Sequence, residues 1–462
     1  MKTNLKATVP KVYTAPGAEA YPHADAAMQL RRAVLACLLW EDAFYESGVK
    51  IAERIKDLVK QVPQEIVAQL AIDARSKFNL RHIPLLLVRE MARGKGNIIG
   101  RTLSEVIQRA DELSEFLSLY WADGKDQSIS KQVKLGLAHA FTKFSAYSFA
   151  KYRGDDKAVK LKDVLFLCHA KPKDEAQALV WKKLIDGSLQ PADTWEVSLS
   201  AGKDKKETFE RLIAENKLGY LALLRNLRNM EAAGCDKALV DDAILARQGG
   251  ADRVLPFRFI AAAKAAPHFE PALDQALVAN LSQMPKLRGK TICIIDVSGS
   301  MYGGALSRKS DMTRAHAACA LGAIVREVCE EPRIYATAGS DTQHIHKTVE
   351  VPARRGMALV DAIYGMTTPL GGGGIFLNQV IKFVKEREKT ADRIIVITDE
   401  QDCAIDAGDS PLKAEPFGKT NYMLNVSTER NGIGYQPRWT HIDGFSEAVI
   451  TYIRESESAN QS

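Results

Sequence analysis

The spacing of hydrophobic residues along this chain changes once, near residue 286. Before it, apolar positions recur every three or four residues. Leu30, Val34, Leu38 and Leu39 share one helical face, as do Ile51, Ile55, Leu58 and Val62, with Ile66, Leu70, Ile72 and Ala74 following. Pro84 opens a further segment over 85–91, at a first-turn position where its missing N–H costs little. Helix-length stretches continue at 133–152, 161–168, 176–184 and 218–230, separated by polar or glycine breaks at 93–96, 122–128 and 154–157. Each is too short to be stable alone, so the segments must stack on one another. That is the logic of an α-solenoid of HEAT-like repeats. No strict internal repeat is visible, and a plain helical bundle is the alternative.

After Pro285 the pattern becomes that of strands alternating with helices. Strands are predicted at 291–295, 334–338, 393–398 and 422–426, and helices at 315–329, 357–363, 376–386 and 445–454. Such alternation predicts a mostly parallel sheet covered on both faces. Residues 1–22 carry Pro, Ala and Gly without periodicity and read as an arm. The expected organisation is therefore an N-terminal arm (1–22), helical repeats (23–285), an α/β domain (286–455) and a short tail (456–462).

Composition changes this picture little, because 46% hydrophobic and 26% charged residues are ordinary for a folded chain. No apolar run approaches the roughly 18 residues that a membrane span needs, and no apolar core follows the N-terminal lysines as in a secretory signal. The seven cysteines are scattered, odd in number and never spaced C-x-x-C, so neither a disulfide framework nor a zinc site is indicated. These features together predict a cytoplasmic protein with no membrane partner. Charge is uneven. There are 42 Lys and Arg against 35 Asp and Glu through Pro285, and 21 against 22 beyond it. A polyanionic partner would therefore meet the helical part, although an excess of seven is also within reach of an ordinary solvated surface.

Candidate chemistry gathers where the strands end. Asp296, Ser298 and Ser300 form a D-x-S-x-S run directly after a buried strand, and Asp399 closes a second strand. Ligands of such sheets bind beyond the carboxyl ends of the strands. Two carboxylates and two hydroxyls converging there are hard oxygen donors, suited to a divalent cation, Mg²⁺ foremost. The alternative is that the serines satisfy turn amides while Asp296 caps the next helix. The run resembles the metal-ion-dependent adhesion site of von Willebrand factor A domains, which also uses a threonine in a glycine-rich loop. Here Gly374 stands where that threonine is expected, with Thr367 and Thr368 a few residues upstream. No G-x-S-x-G, P-loop, H-E-x-x-H or dinucleotide-binding glycine pattern occurs, and no acid cluster or acid–histidine pair supports a nuclease. The sequence thus points to binding and not to catalysis.

In the helical part, Lys143, Lys151, Arg153, Lys157, Lys160, Lys162, Lys171 and Lys173 cluster, with Phe141, Phe144, Tyr147 and Tyr152 interleaved. Lysines neutralise phosphates, and a nearby imidazole hydrogen-bonds to or stacks on RNA. The alternative is a solvated helix face over an aromatic core. Arg75, Arg81 and His82 near one helix start, and Arg225 and Arg228 one turn apart, are further RNA-contact candidates. The last two could equally pair with acids of neighbouring repeats.

Several stretches in order resemble the TROVE family, which comprises the Ro60 autoantigen and its bacterial Ro-related orthologues. They are the segments at 193–196, 223–229 and 255–259, the D-x-S-x-S run, the segment at 398–401, and the segment at 439–446. The resemblance implies a closed ring of HEAT-like repeats whose ends are joined by a von Willebrand factor A-like domain. It implies RNA ligands too: small structured non-coding (Y) RNAs on the outer surface, and single-stranded 3′ ends of misfolded RNAs in the central hole. An exoribonuclease tethered by RNA is a further implied partner, DNA is not a ligand, and the protein is expected to be a monomer. Lys151 and Tyr152 match a family RNA-contact position, and so does His169 within the H-x-K-P motif that includes Lys171. A family arginine between them falls in 154–157, where this sequence has two acids and one extra residue. A different class of function also fits: a metal-dependent protein-interaction module in which the A domain grips an acidic partner residue and the helices are scaffold.

Overall fold

The computed structural model describes residues 12–13, 17–20, 26–35, 48–77, 80–124, 128–152, 157–251, 254, 256–303, 305–307, 310–405, 407–427, 432–434, 436–443, 449–450, 453–454 and 457. Most of the predicted arm and tail, Cys37, Arg153, residues 154–156 and part of the predicted helix at 445–454 lie outside these residues. The chain forms two compact units: Ala52–Ala251, and Met1–Ile51 together with Asp252–Ser462.

Among the described residues the first unit contains helices and no strand. Its helices run in series from Gln64–Ser76 and His82–Met91 to Tyr220–Ala232 and Lys237–Ala246. Most of the packing joins helices one or two places apart in the chain, which is the pattern of a repeat array. Side-chain caps start many of these short helices. Ser130, Asp174, Thr194 and Asp204 each accept from an amide three residues on, at 3.3, 2.8, 3.4 and 2.9 Å. Each such cap stabilises by about 1 kcal/mol, which matters for helices of only two or three turns. Phe141 stacks on Phe149 at 5.0 Å and meets Trp181 edge-on at 5.2 Å. The helices Ile99–Val106 and Lys131–Phe141 cross so closely that a Cβ on Gly136 would stand 2.6 Å from the Gly100 carbonyl oxygen.

The second unit holds the strands. In chain order these are β1 (Val12–Tyr13), β2 (Glu19–Ala20), β3 (Leu287–Asp296), β4 (Ala305–Ser307), β5 (Ser310–Thr313), β6 (Cys329–Ser340), β7 (Ile345–Glu350), β8 (Ala391–Thr398), β9 (Gly418–Asn425) and β10 (Thr440–Asp443). Six of them form one sheet in the order β10-β9-β8-β3-β6-β7. All neighbours run parallel except β7, which pairs antiparallel with β6. Ile292, Ile294, Ile394 and Val396 face the helix Leu377–Glu388 through Leu377, Val380, Ile381 and Val384. The opposite face meets the helix Arg314–Val328, where Gly322 lets Ile295 approach: a Cβ there would stand 2.4 Å from the isoleucine Cδ1. Central strands covered on both faces explain why β3 and β8 read as unbroken apolar runs. The expected fold class holds, with a helical repeat array followed by an α/β domain of A-like architecture.

The helices Pro256–Ala265 and Glu270–Ser282 pack on Arg314–Val328 and so group with the α/β sheet. Asp274 Oδ1 fixes the contact by accepting from the Met357 amide at 2.7 Å. Gly356 lies at φ +54°, and a Cβ on it would stand 2.0 Å from that oxygen, so only glycine fits.

Candidate functional site

The sheet edge is built by two adjacent parallel strands that end in register, Ile295 opposite Ile397. Asp296, Ser298 and Asp399 are fully buried, and Ser300 is partly so. Asp296 Oδ1 accepts from the Ser298 amide at 2.8 Å, and its Oδ2 accepts from Thr398 Oγ1 at 2.6 Å. Ser298 and Ser300 share a hydroxyl–hydroxyl contact at 3.2 Å. Asp399 Oδ1 accepts a long bond from the Gln401 amide, at 3.2 Å, and the Ser300 hydroxyl lies close to the carboxylate, while no bond of good geometry reaches its buried Oδ2 among the described residues. Burial raises the pKa of Asp296, the Asp399 charge raises it further, and the bonds from Ser298 and Thr398 oppose both. Burial likewise raises that of Asp399, against the pull of Arg314 and the bonds from Ser300 and Gln401.

The glycine-rich loop closes over this edge. The Gly299 amide donates to the Gly373 carbonyl at 3.3 Å, and the Gly373 amide donates to Gly339 at 3.0 Å. The loop has no room for a threonine at its tip. A Cβ on Gly374 would stand 1.9 Å from Cys403 Sγ, and one on Gly373 would stand 2.7 Å from the Gly339 oxygen. Thr367 belongs to the same loop, its carbonyl accepting from the Gly372 amide at 2.9 Å. Its Oγ1 is buried beside the Tyr302 hydroxyl. No group of three His, Cys, Asp or Glu suited to a metal occurs among the described residues. A cation here would therefore rest on two carboxylates and hydroxyls. The orphaned Asp399 oxygen and the pair of buried acids fit such an ion, because two carboxylates face one buried cation, Arg314, and a divalent ion would add the positive charge that balances both.

The RNA candidates divide by environment. Lys151 ends the helix Ala146–Lys151 and is exposed, with its ammonium 5.6 Å from the Tyr152 ring centre. Tyr152 is half-buried beneath Arg109, whose guanidinium lies 4.5 Å over the ring. His169 is exposed in the left-handed region at φ 53°, directly after the helix Leu161–Cys168, and Lys171 is exposed two residues on. Arg225 and Arg228 are exposed on the helix Tyr220–Ala232, and neither forms an ion pair among the described residues.

Arg75, Arg81 and His82 are held by internal partners. Arg75 reaches Glu112 at 2.7 Å and the Val106 carbonyl at 3.0 Å, and its side chain is only 10% exposed. Arg81 bonds Asp111 at 2.7 Å and Glu115 at 2.8 Å, and His82 bonds Glu115. These contacts tie the Gln64–Ser76 and His82–Met91 region to the helix Asp111–Tyr120. Lys143 is likewise drawn onto the Ser104 and Ile107 carbonyls, and burial lowers its pKa. Of the interleaved aromatics, Phe141 and Phe144 are core, whereas Tyr147 is 54% exposed.

One residue escaped the sequence reading. Phe166 is 58% exposed, four residues after Lys162 and three before His169. Lys162 and Phe166 are exposed one turn apart on the helix Leu161–Cys168, and the exposed His169 follows directly after its end, so a cation, an aromatic ring and an imidazole lie close together in the chain. The signal was present in the spacing, but Phe166 stands inside an apolar run that reads as core.

Residues 187–365 match the model of the TROVE domain. No curated protein matches the sequence. A solved structure described as the crystal structure of Deinococcus radiodurans RO (RSR) protein has the same fold, with a TM-score of 0.59 at 16% identity, over 92% of this chain and 98% of that one. The domain match bears out the resemblance to the TROVE family over the residues it covers, and the solved structure shows that the fold is shared.

Proposed function

We propose that this TROVE-domain protein is a non-catalytic RNA-binding protein of the Ro type. It takes small structured non-coding RNA of the Y type and single-stranded 3′ ends of misfolded RNAs, in cytoplasmic RNA quality control or stress response. Beside the family match, the observation that carries this reading is the exposed row Lys162, Phe166 and His169, with Lys151 and Lys171 nearby in the chain. Ammonium groups neutralise phosphates, while a ring and an imidazole offer faces on which unpaired bases stack. An exoribonuclease joined through the bound RNA is the partner that this reading brings with it.

The test is RNA binding as a function of salt. The wild type should lose affinity steeply as salt rises, and Lys151→Glu/His169→Ala should bind weakly. Full affinity of the double variant for both structured RNA and 3′ tails would overturn the site.

A second reading is favoured by the orphaned Asp399 Oδ2. Asp296, Ser298, Ser300 and Asp399 would hold Mg²⁺, with the Thr367 hydroxyl in the loop beside them. The ion would leave a coordination position for an acidic residue of a protein partner.

A further inference from the structure

At the end of the sheet opposite Asp296 and Asp399, a cavity of about 500 Å³ opens where β3, β8 and β9 begin. Five cations and two acids line it: Lys286, Arg288, Arg393, Lys419 and Arg454, with Asp392 and Glu457. Both acids already have partners. Asp392 accepts from the Lys290 amide at 2.9 Å and from Lys419 at 2.6 Å. Glu457 accepts from Arg393 Nε at 2.6 Å, Thr420 Oγ1 at 2.8 Å and Tyr422 Oη at 3.2 Å. Arg393, 3% exposed, is held as well by Thr291 Oγ1 at 2.7 Å. The inner wall is thus a fixed, internally satisfied lattice of charges.

The rim differs from this wall. Lys286 and Arg288 are exposed and form no ion pair among the described residues. They stand where the register of β3 against β6 shifts between Leu287 and Lys290. The shift passes through Gly289 at φ +79°, where a Cβ would meet the Asp392 carboxylate at 2.5 Å. The bulge is therefore locked, and the two cations on its near side are placed without an ion-pair partner among the described residues. Cations drawn from several chain segments around one concavity concentrate positive potential inside it.

We propose that this cavity binds a clustered phosphate anion, the chain of phosphates borne by a nucleoside polyphosphate or by a 5′-triphosphorylated RNA end. A cavity of this size accommodates a compact, multiply charged group, and guanidinium forks suit its oxygens. An extended phosphodiester backbone spreads its charges along a groove and matches such a cavity poorly. The site is separate from the RNA surface proposed above and does not rest on it.

The test is calorimetric titration of inorganic tripolyphosphate into the full-length protein in metal-free buffer. Saturable binding should weaken at least tenfold in Lys286→Ser/Arg288→Ser, and should be unchanged in Lys151→Glu. Arg288→Glu serves as a second variant should the double one fold poorly. Displacement of tripolyphosphate by ATP, or by a 5′-triphosphate oligonucleotide but not its 5′-hydroxyl counterpart, supports the site and names the source. The proposal fails if tripolyphosphate does not saturate, if the rim variants bind as the wild type does, if neither competitor displaces it, or if the 5′-hydroxyl oligonucleotide competes equally.

Discussion

Thr398 Oγ1 donates to Asp296 Oδ2 at 2.6 Å, so the last residue of β8 fixes the carboxylate that ends β3. One side of the pair of buried acids is thereby neutralised by hydrogen bonds, while Asp399 keeps an oxygen with no partner among the described residues. Replacing Asp399 by Asn removes a buried charge without changing shape. The metal-free variant should stay close to the wild type in stability, since relief of the repulsion with Asp296 offsets the lost attraction to the buried Arg314. Mg²⁺ should raise the melting temperature of the wild type alone, because only a cation bound to the folded state stabilises it. An equal Mg²⁺ response in Asp399→Asn would retire the metal site.

Arg75 and Arg225 should behave oppositely. Arg75→Ala leaves the fully buried Glu112 without its main partner and should cost about 3–5 kcal/mol in urea unfolding. Arg225→Ala/Arg228→Ala removes exposed cations that form no ion pair among the described residues and should leave stability within about 0.5 kcal/mol. If these arginines touch RNA, the same variant lowers the salt dependence of binding by about one unit per lost phosphate contact.

Phe166→Ala should weaken binding of single-stranded RNA by about 1–3 kcal/mol, the worth of one base stacked on a ring. Removing a ring that is 58% exposed should cost little stability. Unchanged affinity for an unstructured oligonucleotide would remove Phe166 from the RNA surface.

His316 makes stability depend on pH. Burial first, and then the Lys264 ammonium at 2.6 Å, lower its pKa to about 4 from 6.5. The folded state therefore binds fewer protons than the unfolded state between those values. Stability should be fully present above about 6.5 and fall by roughly 2–3 kcal/mol as pH drops towards 4. His316→Gln should flatten that part of the profile in denaturant midpoints measured across this range.

Gly356→Ala should destabilise the α/β unit by about 1–3 kcal/mol. It places a Cβ 2.0 Å from Asp274 Oδ1 in a left-handed conformation. Differential scanning calorimetry of the two proteins checks it, and an unchanged melting temperature would show that Asp274 can move aside.

Much of the fold was legible because burial imposes a period. Ile292 to Ile295 and Ile394 to Ile397 are apolar without alternation, since helices cover both faces of the central strands. β7 was not anticipated because it is an antiparallel edge strand, mostly open to solvent, without an apolar stripe. Nor was β10, at the other edge of the sheet and only four residues long. The grouping of Pro256–Ala265 and Glu270–Ser282 with the sheet was equally hidden, because amphipathic period says that a face is buried but not against what.

The candidate sites divide in the same way. Where Asp296, Ser298, Ser300 and Asp399 stand could be read from local pattern, because D-x-S-x-S and T-D directly follow strand patterns, and strand ends are fixed by chain order. What each residue can reach came from packing. The fold packed Cys403 against Gly374, leaving no room for a threonine there, and buried Thr367 Oγ1 beside the Tyr302 hydroxyl. It drew Arg75 and Arg81 onto Glu112, Asp111 and Glu115, residues 30 or more positions away, while leaving Arg225 and Arg228 in solvent. Spacing along a chain reports which residues share a face of one element. The partner that a charged side chain meets across elements depends on packing, and no local pattern encodes it.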